Sequence, residues 1–268
     1  MLARPVAVLL SLFSALFVIS CGRLTARAAS PEDRSQAIAR IRPSIVQIVV
    51  LNPVTKKSEP LGTGFFVNRD AYVVTALHVI VDGKERLAKG NEATQTLGVG
   101  MAIGDIPGSF VGVPLGVVDI DENRDLAVVR ALRNPFKGEA DEVFKAARPN
   151  VSLNIDVATF ARRAPADGNA IGISGFPFEA SVLVTHSGWI AASRYRAYLE
   201  DRRKERVELY IADVAANRGN SGGPAYFVED AAVFGVCMAG RGGNLTYIMP
   251  TRYVIDLLKK RNIAWTEQ

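Results

Sequence analysis

The sequence predicts an all-β protein that ends in one helix. Many short runs rich in Val and Ile are separated by Gly and Pro, a pattern that favours strands over helices. Of the 268 residues, 49% are apolar and 22% are charged, which is the composition of a globular protein with a sizeable core. Less an N-terminal leader, this length suits one folded unit better than two independent domains. Residues 251–260 have the apolar face and terminal lysines of an amphipathic helix.

The first twenty residues have the features of an export signal. Arg4 gives a basic start, and Val6–Ser20 is apolar apart from three serines. This stretch is too short for a membrane span and has the length of a signal-peptide core. We therefore expect a signal peptide over residues 1–20 and an exported protein.

Two processing sites compete at the end of this signal. Val18–Gly22 resembles a bacterial lipobox, in which Cys21 would be lipid-modified and begin a tether over residues 21–34. Ala26–Ala28 resembles an Ala-x-Ala cleavage site, which would remove residues 1–28 instead. We favour the lipobox, whose several acyl chains would anchor the protein stably. The protein is then expected in the bacterial periplasm or cell envelope, with membrane contact only through the lipid, and is otherwise expected to be secreted.

Charge and residue counts argue against two classes of protein. The net charge of +5 is mild, and the densest basic cluster, Arg202–Arg206, includes an acid and lies between two strand-like runs. Because no aromatic surface is interleaved with this cluster, we expect no nucleic-acid partner. The two His and two Cys are dispersed, so the sequence predicts no metal site and no cofactor. Cys237 lies in an apolar run and is expected to be a buried thiol outside any disulfide.

The heptapeptide Arg-Gly-Asn-Ser-Gly-Gly-Pro at Arg218–Pro224 is the strongest chemical signal in the chain. Glycines on both sides of Ser221 let the backbone present this serine closely to a substrate, because glycine has no side chain and tolerates positive φ. Ser221 is thus a candidate nucleophile, and the N–H groups of Gly219 and Ser221 are candidate oxyanion donors. The same residues also fit the nucleophile elbow of α/β-hydrolases or a plain polar turn.

A base and an acid for this serine lie upstream. The apolar run at Tyr72–Ile80 predicts a strand that ends at Thr75 and gives way to a short turn carrying His78. Asp125 immediately precedes another strand-like run, where its carboxylate can accept the histidine N–H and fix the tautomer. Considered alone, His78 could also be a buried core histidine, and Asp125 could be a turn residue at the start of a strand.

The order of these residues along the chain separates the alternatives. An α/β-hydrolase needs its histidine after the serine, and no histidine follows Ser221. The order His78, Asp125, Ser221 is that of the chymotrypsin arrangement. The separations suit a base and an acid on one barrel and the nucleophile on the second.

At this point the chain resembles the trypsin-like serine peptidases, most closely the protease domain of the bacterial HtrA/Deg family. The similarity runs from about residue 35 to 262. The segments that match the family's motifs, in order, are Gly62–Val67, Tyr72–Val79, Asp125–Val129, Gly175–Phe178, Thr185–Ile190 and Asp213–Pro224.

The resemblance implies two six-stranded antiparallel β-barrels of the chymotrypsin type, followed by a C-terminal helix. The positions of the motifs place the peptidase domain at residues 35–268, opening with a segment at 35–42 that looks helical or loosely packed. The predicted parts are a first barrel at about 44–132, a linker at 134–150, a second barrel at about 151–250 and the helix at about 251–260.

The resemblance also implies a serine endopeptidase that acts on protein or peptide substrates through an acyl-enzyme intermediate. Ser221 would be the nucleophile, His78 the base and then the acid, and Asp125 the group that orients it. The alternative is a non-catalytic binding protein of the same fold; such proteins usually lack a triad residue, and none is missing here. No oligomeric state is predicted.

Substrate preference is inferred from the pocket that the family uses for the residue before the cut. Ala215 would lie at its base, and Met238, Ala239 and Gly240 would line its wall and pair with the substrate as an added strand. Alanine offers no carboxylate for Lys or Arg. We therefore expect cleavage after small or aliphatic residues.

Three departures from the HtrA/Deg pattern are visible, and at Asn220 the chain differs from the animal digestive peptidases, which carry an aspartate there. His186 has no counterpart and is interpreted as structural, and Glu179 stands where the family has a turn glycine. The chain stops at Gln268, so no PDZ domain is expected. Asn220 has no charge to pair with a freed N-terminal amine, so we expect activity without a zymogen step.

Overall fold

The computed structural model describes residues 30–52, 54–55, 57–90, 94–103, 109–140, 153–198, 205–240 and 244–268. The predicted signal peptide, the predicted lipidation site Cys21, residues 202–204 of the basic cluster and residues 141–150 of the predicted linker lie outside this part of the chain. Among the described residues, no helix is both long and apolar enough to cross a bilayer.

Two closed antiparallel barrels of six strands each organise the described chain, which confirms the predicted fold class. Hydrogen-bonded neighbours in the first barrel follow the order β1-β2-β3-β6-β5-β4, and β4 closes on β1. Its strands are β1 (Ile45–Leu51), β2 (Ser58–Phe66), β3 (Tyr72–Ala76), β4 (Thr96–Ala102), β5 (Phe110–Asp121) and β6 (Leu126–Ala131).

The second barrel repeats this topology in the order β7-β8-β9-β12-β11-β10. Its strands are β7 (Ala170–Gly175), β8 (Val184–Ala197), β9 (Val207–Asp213), β10 (Pro224–Phe227), β11 (Val233–Gly240) and β12 (Leu245–Pro250). The largest apolar core includes buried side chains of both barrels, among them Phe65 and Tyr226. The two barrels therefore share packing across the seam in which the candidate site lies.

Three α-helices accompany the barrels in the part of the chain that the structure describes. The first, α1 (Pro31–Ile41), begins earlier than the segment at 35–42 that was expected to be helical or loose. Ser30 caps it, because its hydroxyl accepts the Asp33 N–H while the Asp33 carboxylate accepts the Ser30 N–H. The residues Ser-Pro-Glu-Asp are a start signal that the sequence already contains.

The short turn predicted at His78 is wrong. Leu77 opens an α-helix, α2 (Leu77–Lys89), and His78 is its second residue. Five charged residues and Gly83 interrupt the apolar pattern of this segment, so its helical period is weak in the sequence. The helix forms because its buried side, which includes Val79 and Ile80, packs on the first barrel against β1.

The C-terminal helix, α3 (Thr251–Lys260), is tied to the first barrel by one buried carboxylate. Asp119 on β5 accepts hydrogen bonds from Lys260 Nζ at 3.1 Å and from Arg261 Nε at 2.9 Å. The Arg261 hydrogen bond, which outweighs the opposing effect of burial, lowers the pKa of Asp119 to about 2. The second barrel's terminal helix is thereby fastened across the seam to the first barrel.

We expect Asp119→Asn to lower the free energy of unfolding at pH 7 by about 1 kcal/mol, since it weakens bonds to two partly exposed cations. The folded-state pKa is below the unfolded value near 4, so this stabilisation is present above pH 4 and is lost as the pH falls toward 2. Urea unfolding at pH 7 and pH 3 measures both effects. Asp256→Asn, an exposed change on α3, is the control; equal loss in the two variants would contradict the assignment.

Candidate active site

The N-terminus of α2 is capped by a residue 47 positions away in the chain. No side chain of its own caps this helix. Instead the Asp125 carbonyl accepts the Leu77 N–H at 2.8 Å, and Asp125 Oδ1 accepts the His78 N–H at 2.9 Å. Asp125 adopts a left-handed φ of 55° in the turn before β6, a conformation that Asp tolerates better than most residues. Partial positive charge at the helix N-terminus stabilises the carboxylate.

The second carboxylate oxygen holds the imidazole of His78. Asp125 Oδ2 lies 2.6 Å from His78 Nδ1, and the Asp125 side chain is only 9% exposed. Because an ionised carboxylate only accepts hydrogen bonds, Nδ1 must carry the proton in this contact. The neutral ring then has a lone pair at Nε2. The arrangement can therefore provide a general base whose protonated form faces a fixed negative charge.

The loop that carries Ser221 is folded by its own backbone hydrogen bonds. Asn220 N–H donates to the Asn217 carbonyl and Gly223 N–H donates to the Asn220 carbonyl, both at 3.0 Å. Gly222 N–H donates to the Cys237 carbonyl at 2.7 Å, which joins the loop to β11. Cys237 is fully buried there, as the sequence predicts. These contacts leave little freedom for the serine between them.

Two positions of this loop require glycine, both because φ is positive there and because backbone atoms of other segments lie too close for a Cβ. Gly219 has φ 98°, and a Cβ on it would lie 2.2 Å from the Phe176 carbonyl oxygen. Gly222 has φ 84°, and a Cβ on it would lie 2.2 Å from the Thr63 carbonyl oxygen and 2.8 Å from Ala76 N. Ala76 is the N-cap of α2. The serine loop is thus seated against the element that begins with His78.

Thr63 on β2 makes the polar link between the first barrel and this loop. Its hydroxyl donates to the Gly219 carbonyl at 2.6 Å and accepts the Phe176 N–H at 3.1 Å. Its N–H donates to the Ser221 carbonyl at 2.9 Å, and its carbonyl accepts the Thr75 hydroxyl at 2.7 Å. All of its hydrogen-bonding groups that touch the loop are buried. The hydroxyl and the backbone of this one residue therefore position the serine loop against β2 and β3.

The peptide group between Arg218 and Gly219 has a fixed direction. The Arg218 carbonyl accepts the Phe178 N–H at 2.8 Å, so the trans peptide points the Gly219 N–H in the opposite direction. Within the described part of the chain, the N–H groups of Gly219 and Ser221 donate to no backbone acceptor, unlike that of Asn220. Both predicted donors are available to a ligand.

The residues predicted for the substrate pocket lie on two neighbouring segments. Ala215 is exposed in the segment between β9 and the serine loop, and Met238 is buried on β11. Ala239 and Gly240 complete β11. Thr246 on β12 connects the segments, since it is the strand partner of Gly240 and its hydroxyl accepts the Ala216 N–H.

His186 does not join the His78–Asp125 pair. It lies on β8 as the strand partner of Ile173, and its ring is half-buried. Nε2 is buried and has no hydrogen-bond partner among the described residues. Burial lowers the pKa of His186 below its usual value, so the neutral ring is favoured. No group of three or more His, Cys, Asp or Glu in the described chain has the arrangement of a metal site.

Sequence reasoning missed four residues that the structure brings to the serine loop. Thr63 was noticed only as part of a motif, although a hydroxyl framed by two glycines is the same signal that singled out Ser221. Arg86, Phe178 and Arg218 line a cavity next to Gly219. The approach of Arg86 depends on α2, which the sequence did not predict.

Comparisons with known proteins identify the family of the chain. The model of the trypsin-like peptidase domain family matches residues 62–236, more than half of the chain. A Rhizobium meliloti protein named "Probable periplasmic serine endoprotease DegP-like" is 24% identical over 201 residues, or 74% of this chain. The magnetosome formation protease MamE of Magnetospirillum gryphiswaldense is 28% identical over 173 residues, or 65% of this chain. This chain spans only 32% and 18% of the length of these two relatives.

Solved structures show the same fold. The active form of the Rv3671c protease from M. tuberculosis superposes with a TM-score of 0.60 at 20% identity, with 90% of each chain covered. Its inactive form gives a TM-score of 0.59 at 19% identity, covering 87% of this chain and 97% of the other. The chain belongs to the trypsin-like peptidase domain family, which confirms the predicted resemblance to the trypsin-like peptidases.

We expect Thr63→Val to lower peptidase activity roughly ten- to a hundredfold, because the Gly219 carbonyl and the Phe176 N–H lose their shared partner and the loop shifts. The same loss should reduce the free energy of unfolding by about 2 kcal/mol. Thr63→Ser keeps the hydroxyl and is the matched control. Steady-state kinetics and urea unfolding of both variants provide the measurement. A Val variant as active as the Ser variant would show that the hydroxyl does not position the loop.

Proposed function

We propose that this chain is a serine endopeptidase that cleaves protein substrates through Ser221, His78 and Asp125. The observation that carries the proposal is the 2.6 Å bond between Asp125 Oδ2 and His78 Nδ1, at a helix end against which the Ser221 loop is packed. Support also comes from the family match and from relatives that are named as proteases.

The reaction follows from the groups available. Ser221 Oγ attacks the carbonyl carbon of the scissile bond while His78 Nε2 takes its proton. The Gly219 and Ser221 N–H groups stabilise the negative charge that develops on the carbonyl oxygen. His78 then gives the proton to the leaving amine, the C–N bond breaks, and an acyl-enzyme remains on Ser221. Water, activated by the same histidine, hydrolyses the ester and restores the serine.

Asp125 has two functions in this scheme. It keeps the proton on Nδ1 of His78, so Nε2 faces the serine as an acceptor, and it stabilises the imidazolium that forms. Its own charge is stabilised by the His78 N–H and by the N-terminus of α2. Both functions use a carboxylate that is already aligned before substrate binds, so no reorganisation is needed in the transition state.

The proposed specificity rests on two uncharged residues. By the resemblance, Ala215 would form the base of the pocket and Met238 part of its wall, and neither side chain carries a carboxylate. We propose cleavage after small or aliphatic residues, with the substrate backbone added to β11 at Ala239 and Gly240.

Cellular location and activation are part of the same proposal. The export signal and a relative named as a periplasmic endoprotease support an exported protein of the cell envelope, anchored through Cys21 if the lipobox is used. Asn220 is fully buried, and its carboxamide has no hydrogen-bond partner among the described residues. Since it is uncharged, a new N-terminal amine would have no charged partner there, and we propose that removal of the signal is sufficient for activity.

A fluorophosphonate probe tests the proposed nucleophile. The purified wild-type protein should be labelled stoichiometrically, because an activated serine attacks phosphorus and loses the leaving group. Ser221→Ala should abolish the label, and Ser187→Ala, at an exposed serine on β8, should leave it unchanged. Folded wild-type protein that takes up no label would favour a non-catalytic binding protein of the same fold.

Two substitutions of Asp125 separate its catalytic function from its structural one. Asp125→Asn retains an acceptor for the His78 N–H and tolerates the left-handed backbone, so we expect stability near that of the wild type. It no longer fixes the Nδ1–H tautomer, and kcat should fall roughly 10⁴-fold. Asp125→Ala loses the cap as well and should be about 1 kcal/mol less stable. Kinetics with thermal unfolding measure both; an active Asn variant would exclude the proposed function of Asp125.

A further inference from the structure

A cavity of about 260 Å³ lies beside the serine loop and is not used by the mechanism above. It is formed by the start of β2, by α2, by the turn after β7 and by the first residues of the loop. Gly219, a proposed oxyanion donor, is one of its walls. None of its described lining residues comes from the segment of Ala215 or from β11, where the substrate residues before the cut are proposed to bind. The cavity is therefore separate from the surface proposed for the substrate residues before the cut.

Two arginines give this cavity its charge. Arg86 is half-buried on α2, and Arg218 is exposed immediately before Gly219. Glu85, the neighbour of Arg86, lies instead near Lys89 at 3.5 Å. Among the described side chains, no carboxylate forms an ion pair with either cavity arginine. Both guanidinium groups are thus available to an anionic group from outside.

The remaining walls are apolar and include a strained residue. Phe176 and Leu61 line the cavity together with Phe178, whose side chain is 71% exposed. Phe178 also has φ 51°, an uncommon conformation for a bulky residue, and its N–H is bonded to the Arg218 carbonyl. An exposed aromatic ring held in an unfavourable backbone conformation at a cleft is typical of a ligand-contacting position.

We propose that this cavity binds the substrate segment that follows the cut bond and that Arg86 and Arg218 select an acidic side chain within its first two residues. The inference depends on the proposed peptidase function and adds the substrate class on this side of the cut. The aliphatic part of a glutamate would pack on Phe176 and Phe178, while its carboxylate would accept hydrogen bonds from the two guanidinium groups. The preference for the substrate residue before the cut is a separate property, which we assign to the proposed pocket at Ala215 and Met238.

Matched peptides test the proposal. Internally quenched peptides with one sequence, which the wild-type protein cleaves, would carry Glu, Gln or Lys at the first or the second residue after the cut. We expect kcat/KM for Glu to exceed that for Gln about fivefold at one of these positions, the gain of partly exposed ion pairs, and Lys to be the poorest. The Glu/Gln ratio should fall as NaCl is raised from 50 to 500 mM, because salt screens exposed charges.

Arginine variants assign the preference to the cavity. Arg86→Gln and Arg218→Gln should each reduce the Glu/Gln ratio, and Arg86→Glu should reverse the order of the Glu and Lys peptides. A substitution beside Gly219 can change kcat/KM equally for all peptides. The Glu/Gln ratio of kcat/KM is unaffected by such a general change and is therefore the quantity to compare. Arg133→Gln, at an exposed position after the end of β6 that lies away from Asp125, is the charge-matched control and should leave the ratio unchanged.

Two outcomes would overturn the inference and are distinguishable. Equal kcat/KM for the Glu, Gln and Lys peptides, or a Glu preference that survives in Arg86→Glu, would exclude the arginine site while the peptidase function stands. Absence of cleavage of every peptide, together with absence of fluorophosphonate labelling, would remove the proposed function and this inference with it.

Discussion

The Asp125 carboxylate is the interaction on which the candidate site depends. Its two oxygens serve two different groups of one residue, the backbone N–H and the Nδ1 of His78. The first bond completes the N-terminus of α2 and the second orients the ring that this helix carries. The same buried carboxylate thus caps a helix that has no side-chain cap of its own, and it fixes the tautomer of the proposed base. Structural and proposed catalytic functions coincide in one side chain.

The second constraint is the seating of the serine loop on the first barrel. Thr63 bonds the loop at the Gly219 and Ser221 carbonyls, and Gly222 approaches so closely that no side chain fits. These contacts cross the seam between the barrels, as does the Asp119 contact with Arg261 at the end of α3. The proposed chemistry needs groups from both barrels at distances that vary little. Buried hydrogen bonds across the seam satisfy this need better than apolar packing alone, because they are directional.

Much of the fold and part of the site could be predicted from the sequence. Strand-forming runs broken by Gly and Pro, together with the order His78, Asp125, Ser221, identified the two-barrel class, because the linear order of these residues differs between unrelated hydrolase folds. The helix α2 could not be predicted, since charged residues and Gly83 obscure its period and packing on β1 stabilises it. In the structure α1 begins four residues before the predicted segment, although its capping box is present in the sequence.

By itself the sequence determined the class of the protein and the residue types available for chemistry: a glycine-framed serine, two histidines and an aspartate before a strand. These are properties of local pattern and order, which need no coordinates. Only the tertiary structure decided which groups meet. It joined the Asp125 carboxylate to the N-terminus of α2, placed the Thr63 hydroxyl beneath the serine loop and gathered Arg86 and Arg218 around one cavity. The physical reason is that such contacts link distant segments through barrel closure and helix packing, and local sequence carries no record of those distances.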